Sequence, residues 1–109
     1  MRLIYVAGKY GAPTQEGISA NIAHARQAAI NLWRSGWSVF CPHMNTAHLD
    51  DIVKREVFLD GDLEILKRCD AIYMLSNWQE SEGAKKEYAL AKYLELEIYF
   101  EDRKQAVNT

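Results

Sequence analysis

Short apolar runs alternate with longer amphipathic segments along the chain. The runs RLIYVAG, WSVFCP, DAIYML and EIYF occupy residues 2–8, 37–42, 70–75 and 97–100. Continuous runs of this length, rich in β-branched and aromatic residues, are typical of strands buried on both faces of a parallel sheet. Glycine ends the first run and proline ends the second, as expected of strand ends. The pattern therefore predicts four strands.

Helical spacing of apolar residues fills most of the sequence between these strands. It predicts three helices, at residues 18–33, 52–69 and 84–95. Gly61 predicts an interruption of the second helix. The stretches left over are predicted to be a turn, an irregular excursion and a loop, at residues 9–17, 43–51 and 77–83.

Alternating strands and helices predict the fold class. Parallel strands joined by right-handed crossovers give a three-layer, doubly wound α/β fold of the flavodoxin-like kind, with a four-stranded sheet in the order 2-1-3-4. One domain is expected over residues 1–101, followed by a frayed polar tail at residues 102–109. Ligands of such folds bind beyond the carboxyl ends of the strands, which directs attention to the segments after the first and third strands. Neither segment contains GxGxxG or GxxxxGK[ST], so dinucleotide and P-loop sites are not predicted.

Charge and cysteine usage restrict the partners and the compartment. The net charge is -2, with acids and bases interspersed, so we expect no polymeric nucleic acid as a partner. Cys41 and Cys69 lack CxxC spacing and lie among apolar residues, which indicates buried free thiols and a cytoplasmic location. No apolar stretch approaches the about 18 residues of a membrane span, and the N-terminal run is too short for a signal peptide. A soluble protein without membrane association is expected.

Glu87 occupies an unusual position on the third predicted helix. In helical projection it falls near the middle of an apolar arc formed by Gly83, Ala84, Tyr88, Leu90, Ala91 and Leu94. Burial of an ionised carboxylate without partners costs several kcal/mol, so such an acid must be protonated, hydrogen-bonded or facing a cavity. The alternative is a rim position, where the methylenes pack and the carboxylate reaches water.

Asp62 also lies on an apolar helical face, that of the second predicted helix. It lies within an arc of Phe58, Leu59, Ile65, Leu66 and Cys69. The alternative is a helix cap or an ion pair with Arg55 or Arg68 where Gly61 breaks the helix. Because Asp62 precedes the third strand and Glu87 follows it, both acids can face one crevice beside that strand.

Ser81 adds a possible binding element to the same crevice. As an N-cap it leaves the backbone N–H groups of the first helical turn free for a phosphate or a sugar hydroxyl. Gly83 lets a ligand approach the backbone closely. The alternative is that Ser81 only caps the helix.

Four short motifs in this order resemble the nucleoside 2-deoxyribosyltransferase superfamily, which includes deoxynucleoside 5'-monophosphate N-glycosidases and a small uncharacterised branch. They are IYxAG at residues 4–8, PH at 42–43, DLxxLxxxD at 62–70 and SxGxxxE at 81–87. The resemblance spans residues 3–100. It implies cleavage or transfer of an N-glycosidic bond without a cofactor or metal.

The resemblance implies three catalytic residues. Glu87 would be the nucleophile that attacks the anomeric carbon of a deoxyribosyl group and forms a covalent intermediate. Tyr5 would donate a hydrogen bond to this glutamate, although an ordinary core tyrosine is the alternative. Asp62 would organise the site and assist protonation of the departing base, a role favoured by a raised pKa.

The resemblance also implies a set of substrate-binding residues: Gly8, Lys9, Tyr10, His43, Trp78, Ser81 and Gly83. The loop after the first strand carries Lys9, Tyr10 and Gly11 where monophosphate-specific relatives have serine and arginine, so phosphate recognition would depend on Lys9 or be absent. His43 would lie near the base, with an exposed loop histidine as the alternative. Trp78 would stack on a base or, as we favour, cover the end of the sheet.

The expected partner is therefore a small nucleoside or nucleotide, bound by a homo-oligomer that is a dimer or larger. His24 and His48 have no matching ligand partners, so no metal is expected. The alternative function is a nucleotide-binding or sensing module that uses the same crevice without turnover.

Overall fold

The structure is a computed structural model that describes residues 1–47, 49 and 51–103. His48 and residues 104–109, which make up most of the tail predicted to fray, lie outside the described residues, and residues 102–103 continue a turn after the last strand. The four strands are β1 (Leu3–Ala7), β2 (Ser38–Phe40), β3 (Ala71–Met74) and β4 (Glu97–Phe100). The helices are α1 (Gln15–Arg34), α2 (Pro42–Asn45), α3 (Arg55–Leu66) and α4 (Glu82–Tyr93), with a 3₁₀ turn at Trp78–Glu80.

The strands form one parallel sheet in the order β2-β1-β3-β4, which confirms the predicted topology. Tyr5 at the centre of β1 is opposite Phe40 on one side and Ile72 on the other. Helices cover both faces of a parallel sheet, which explains the uninterrupted apolar sequence of this central strand. Residues 4–7 are accordingly buried.

Two hydrophobic clusters hold helices on opposite faces of the sheet. On one face, Tyr5, Ile72 and Met74 pack with Leu66 of α3 and Ala91 of α4. On the other face lies α1, whose buried residues Ala25, Ala28 and Ala29 pack with Val6 and Leu75. The three-layer α/β prediction is confirmed.

Helix α1 begins earlier than predicted. The Thr14 hydroxyl accepts a hydrogen bond from the Gly17 N–H at 3.0 Å, so the helix starts at Gln15. Gly17 therefore lies in the first turn, whereas the sequence had indicated a loop that continued to this glycine. N-cap chemistry at threonine outweighs the low helix propensity of a single glycine.

Two predictions in the segment between β2 and β3 were wrong. The stretch after Phe40 contains the short helix α2, which has Pro42 at its first position, where proline's missing N–H has no intrahelical role. Helix α3 starts at Arg55 and runs through Gly61 without interruption. A β-carbon at Gly61 would meet no atom within 4 Å, so packing of the chain does not require glycine there.

The carboxyl ends of β1 and β3 pass very close to each other. A β-carbon at Gly8 would lie 2.5 Å from Cδ1 of Leu75, which is closer than side chains approach one another. Gly8 thus lets the loop after β1 start directly beside the loop after β3. Among the described residues, no helix has the length and apolar character needed to cross a bilayer.

Candidate active site

A cavity of about 270 Å³ opens at the carboxyl edge of the sheet, where the fold predicted it. Its volume is close to the about 300 Å³ at which small-molecule pockets begin. The structure brings most of the predicted site residues to its wall: Gly8, Tyr10, His43, Asp62, Ser81, Gly83 and Glu87. Tyr5 lies directly behind the wall, whereas Lys9 and Trp78 do not line the cavity.

Glu87 is buried at the cavity wall. Its side chain is only 8% exposed, and its Oε2 accepts a hydrogen bond from the Tyr5 hydroxyl at 2.5 Å. The alternative of a rim carboxylate that reaches water is therefore wrong. Burial raises the pKa of Glu87 to about 8, while the Tyr5 hydrogen bond acts in the opposite direction and the charge of Asp62 adds to the rise.

Tyr5 is both a core residue and a hydrogen-bond donor. Its ring is fully buried and tilts against Phe40 at 5.6 Å between centroids. Burial and the neighbouring carboxyl of Glu87 raise the pKa of Tyr5, so its hydroxyl keeps its proton. The central strand thus holds a fixed donor against the carboxyl group of Glu87.

Asp62 faces the cavity from α3. Among the described residues its carboxyl group has no hydrogen bond or ion pair, and Arg68 pairs instead with Glu64 at 2.7 Å. The alternatives of an ion pair or a cap at a broken helix are therefore wrong. Burial raises the pKa of Asp62 to about 6, so this acid holds its proton closer to neutral pH than an ordinary aspartic acid.

Ser81 caps α4 at the cavity. Its Oγ accepts a hydrogen bond from the Ala84 N–H at 3.1 Å, which confirms the N-cap prediction. The first N–H groups of a helix have no intrahelical acceptors, and those of Glu82 and Gly83 stand next to the cap. Ser81 therefore both caps the helix and lines the cavity.

The loop after β1 is held by contacts at Lys9. Its backbone N–H donates to Asn77 Oδ1 at 3.0 Å, and its carbonyl oxygen lies 2.9 Å from Nε2 of His43. Its ammonium group forms an ion pair with Glu80 at 3.1 Å. Lys9 thus joins the two loops at the site, and its charge is directed to Glu80.

His43 is buried rather than exposed. It is 4% exposed, which makes the alternative of a solvent-exposed loop histidine wrong. Burial lowers the pKa of His43, so the ring is neutral and its Nε2–H donates to the Lys9 carbonyl. Nδ1 is buried without a hydrogen-bond partner among the described residues.

Trp78 packs over the end of the sheet. Its ring centroid lies 4.7 Å from that of Tyr88 and 6.3 Å from that of Phe100. These contacts agree with the covering position that we favoured over stacking on a base.

Arg55 is a charged cavity residue that was not among the predicted site residues. It lines the cavity together with Phe58, Leu59 and Asp62. These positions are three, four and seven residues from Arg55, so they share one face of α3. The sequence contains this spacing, although it suggested Arg55 only as an ion-pair partner of Asp62.

Other ionisable groups do not suggest a metal site. Among residues 1–47, 49 and 51–103, no group of three or more His, Cys, Asp or Glu side chains is arranged to hold a metal ion. Cys41 and Cys69 are buried free thiols, as predicted.

Comparison with known proteins supports the fold. Residues 2–100 match the family described as Domain of unknown function (DUF4406). A 2-deoxyribosyltransferase from the psychrotolerant bacterium Bacillus psychrosaccharolyticus has a similar structure, with a TM-score of 0.63 and 21% sequence identity over 90% of this chain and 70% of that chain. At this identity the likeness shows the fold alone, and that fold agrees with the one that the sequence motifs implied. A search of the curated proteins gave no match.

Proposed function

Since the chain belongs to the DUF4406 family, whose description names no activity, we propose its function from the site: cleavage or transfer of the N-glycosidic bond of a deoxynucleoside or its 5'-monophosphate. The observation that carries the proposal is the buried hydrogen bond between Tyr5 and Glu87, 2.5 Å long, at a cavity that Asp62 also lines. A carboxylate that can act as the nucleophile, a fixed donor that orients it and a second carboxyl group that can act as the acid are the groups that glycosyl transfer through a covalent intermediate uses. The similar structure of a 2-deoxyribosyltransferase supports the proposal.

Glu87 acts as the nucleophile in the first step. One of its ionised carboxylate oxygens forms a bond to C1' of the sugar, and the bond from C1' to the base nitrogen breaks with its electron pair on the base. Burial places the negative charge beside the developing positive charge of the sugar in a medium of low dielectric constant. Tyr5 fixes the other oxygen and favours the ionised form, since its hydrogen bond lowers the pKa of Glu87.

Asp62 acts as the acid and then as the base. Its proton passes to the departing base, which leaves neutral. Water or an acceptor base then attacks C1', the bond to Glu87 breaks, and the proton of the attacking group passes to the Asp62 carboxylate. The raised pKa of Asp62 suits both proton transfers.

The remaining cavity residues bind the substrate. Ser81 and Gly83 present the start of α4 to the 5' group of the sugar, and Gly8 and Tyr10 line the same cavity from the loop after β1. His43 also lines the cavity, and its hydrogen bond to the Lys9 carbonyl holds the loop after β1 in place.

The test is base release from a panel of the four deoxynucleosides and their 5'-monophosphates, with and without an acceptor base, analysed by chromatography. We expect the wild type to release base, Glu87→Gln to lose at least about 10³-fold in rate, and Asp62→Asn to lose about 10²- to 10⁴-fold. Glu64→Gln and Asp60→Asn are matched controls on α3, outside the cavity lining. No release from any substrate, or equal release by wild type and Glu87→Gln, contradicts the proposal.

A nucleotide-binding module without turnover is the second candidate. It is favoured by the pKa of Glu87, because a carboxyl group with a pKa of about 8 is largely protonated at neutral pH and is then a poor nucleophile. Calorimetric binding of a nucleotide by both wild type and Glu87→Gln, with intact ligand recovered from each, would support this candidate.

We further propose that the protein is a cytoplasmic homo-oligomer. The buried free thiols Cys41 and Cys69 suit a reducing compartment. Ile52 and Val57, which flank the start of α3, are exposed apolar side chains that subunit contact would cover.

A further inference from the structure

We infer that Arg55 binds a phosphate monoester on the substrate, so that the site takes deoxynucleoside 5'-monophosphates in preference to uncharged deoxynucleosides. The inference rests on the proposed function for the identity of the nucleoside part. It goes beyond that function by assigning a residue and a charge to substrate selection.

Arg55 differs from the other charged residues at the cavity. Among the described residues that line it, Arg55 is the one arginine or lysine, and the acids are Asp62 and Glu87. The guanidinium group of Arg55 has no hydrogen bond or ion pair with any described residue. Its five N–H donors are therefore available to an anion, and their planar arrangement matches the oxygens of a phosphate.

Lys9, the cation first expected to bind phosphate, is engaged elsewhere. Its ammonium group pairs with Glu80 at 3.1 Å, and the residue does not line the cavity. Lys9 could bind a phosphate only if its ion pair with Glu80 opened. Arg55 needs no such rearrangement.

The position of Arg55 separates its charge from the acids. Arg55 and Asp62 are seven residues apart on one face of α3, which corresponds to a rise of about 10 Å along the helix axis. A phosphate beside Arg55 is therefore kept away from the carboxyl group of Asp62, which would repel it. The cavity thus has an acidic end at Asp62 and Glu87, where C1' reacts, and a basic end at Arg55.

The basic end of the cavity, at Arg55, lies near the start of α4, as the position of Leu59 indicates. A β-carbon at Gly83 would lie 3.4 Å from Cδ2 of Leu59, so these residues are in contact. Arg55 is one helical turn from Leu59 on the same face of α3. A substrate whose sugar lies at Glu87 and whose 5' group lies near Ser81 therefore extends its phosphate toward Arg55.

The experiment measures binding apart from turnover. Dissociation constants of thymidine, thymidine 5'-monophosphate and inorganic phosphate are determined by calorimetry for Glu87→Gln, alone and combined with Arg55→Gln. We expect Arg55→Gln to weaken monophosphate binding about 10- to 100-fold, as loss of a hydrogen bond to a charged group does, and to leave thymidine binding unchanged. Arg55→Lys should restore part of the loss. Weak binding of inorganic phosphate would show that the nucleoside part is also required.

Arg68→Gln is the matched control, because it removes the same charge from a position just beyond the far end of α3, where Arg68 pairs with Glu64. Arg68→Gln should change neither the affinity for thymidine nor the affinity for thymidine 5'-monophosphate. The inference is overturned if Arg55→Gln weakens thymidine and its monophosphate equally, if it weakens neither, or if the monophosphate does not bind. If the wild type binds the monophosphate through Arg55 but releases no base, the proposed glycosyl transfer is refuted. The phosphate-binding role of Arg55 is then still supported.

If turnover is observed, kinetics provide a second readout. Arg55→Gln should raise KM for the monophosphate with little change in kcat, because a contact made equally in the ground state and the transition state contributes to KM alone. A loss confined to kcat would contradict a binding role.

Discussion

The buried carboxyl group of Glu87 accepts a hydrogen bond from Tyr5. Its 8% exposure leaves little contact with water, and Tyr5 is its hydrogen-bond donor. Burial of the charged form is unfavourable, and the raised pKa of Glu87 is the direct result. A residue kept at such a cost to the free energy of unfolding is expected to have a function, since an apolar side chain would fill this position more favourably.

Replacement of Glu87 should therefore stabilise the fold at alkaline pH. The pKa of Glu87 is about 8 in the folded protein and ordinarily 4.5. The folded state thus binds the proton more tightly, and stability falls as the pH rises between these values. Glu87→Gln cannot ionise and keeps an acceptor for Tyr5. We expect it to melt at least about 4 °C above the wild type near pH 8, with no difference near pH 4, in thermal unfolding followed by circular dichroism.

The same two acids set the pH dependence of the rate. Glu87 must be ionised and Asp62 protonated, and their pKa values of about 8 and about 6 predict a bell-shaped profile of kcat/KM between these values. Tyr5→Phe removes the donor that lowers the pKa of Glu87. The alkaline limb should then move to higher pH and the maximum should fall. An unchanged alkaline limb in this variant would argue against Glu87 as the titrating nucleophile.

Single residues show what the sequence could and could not predict about the site. Glu87 and Asp62 were recognisable because a carboxyl group on an apolar helical face is improbable without a role. The burial of His43 and the pairing of Lys9 with Glu80 could not be predicted, because each depends on how two loops from distant parts of the chain meet. Arg55 was missed because an exposed arginine on a helix is ordinary until the cavity beside it is known.

At the scale of the elements, α3 contains a glycine that lowers the stability of the helix. Gly61 lies in the helix interior with open space around its Cα, and its backbone has an ordinary helical conformation. Gly61→Ala should stabilise the protein by about 0.5–1 kcal/mol, because alanine loses less backbone entropy in a helix. Urea unfolding measures this change, and a lower midpoint than that of the wild type would contradict it.

Gly8→Ala should have the opposite effect at the end of β1. The added methyl group would lie 2.5 Å from Cδ1 and 2.8 Å from Cβ of Leu75. Leu75 is fully buried and cannot move away freely. We expect a loss of about 1–3 kcal/mol, as is typical of overpacked cores. The same urea experiment tests this prediction, and unchanged stability would show that the loop after β1 is less closely packed than described.

Element boundaries were predicted less well than the elements themselves. All four strands were identified from their apolar runs, since burial on both faces leaves a clear signal. Helix α1 started earlier and α3 later than predicted, and both errors involve glycine or polar residues with weak periodicity. Local capping at Thr14 and tertiary packing of α3 decided these boundaries.

At the scale of the whole molecule, the apolar surface beside the cavity predicts association. Ile52 is 74% exposed and Val57 is 58% exposed. We expect light scattering to give a mass of at least twice 12.5 kDa, and the double variant Ile52→Lys, Val57→Lys to reduce it to that of a monomer. A wild type that remains monomeric at high concentration would refute the homo-oligomer.

The placement of β1 between β2 and β3 also matters during synthesis on the ribosome. Leu3 donates its N–H to Asp70, 67 positions later, so one edge of the first strand stays open until the third has been translated. At about 5–20 residues per second, that interval lasts roughly 3–13 s. During this time a nascent hydrophobic strand can pair with foreign chains, and a chaperone that shields it would raise the yield of folded protein.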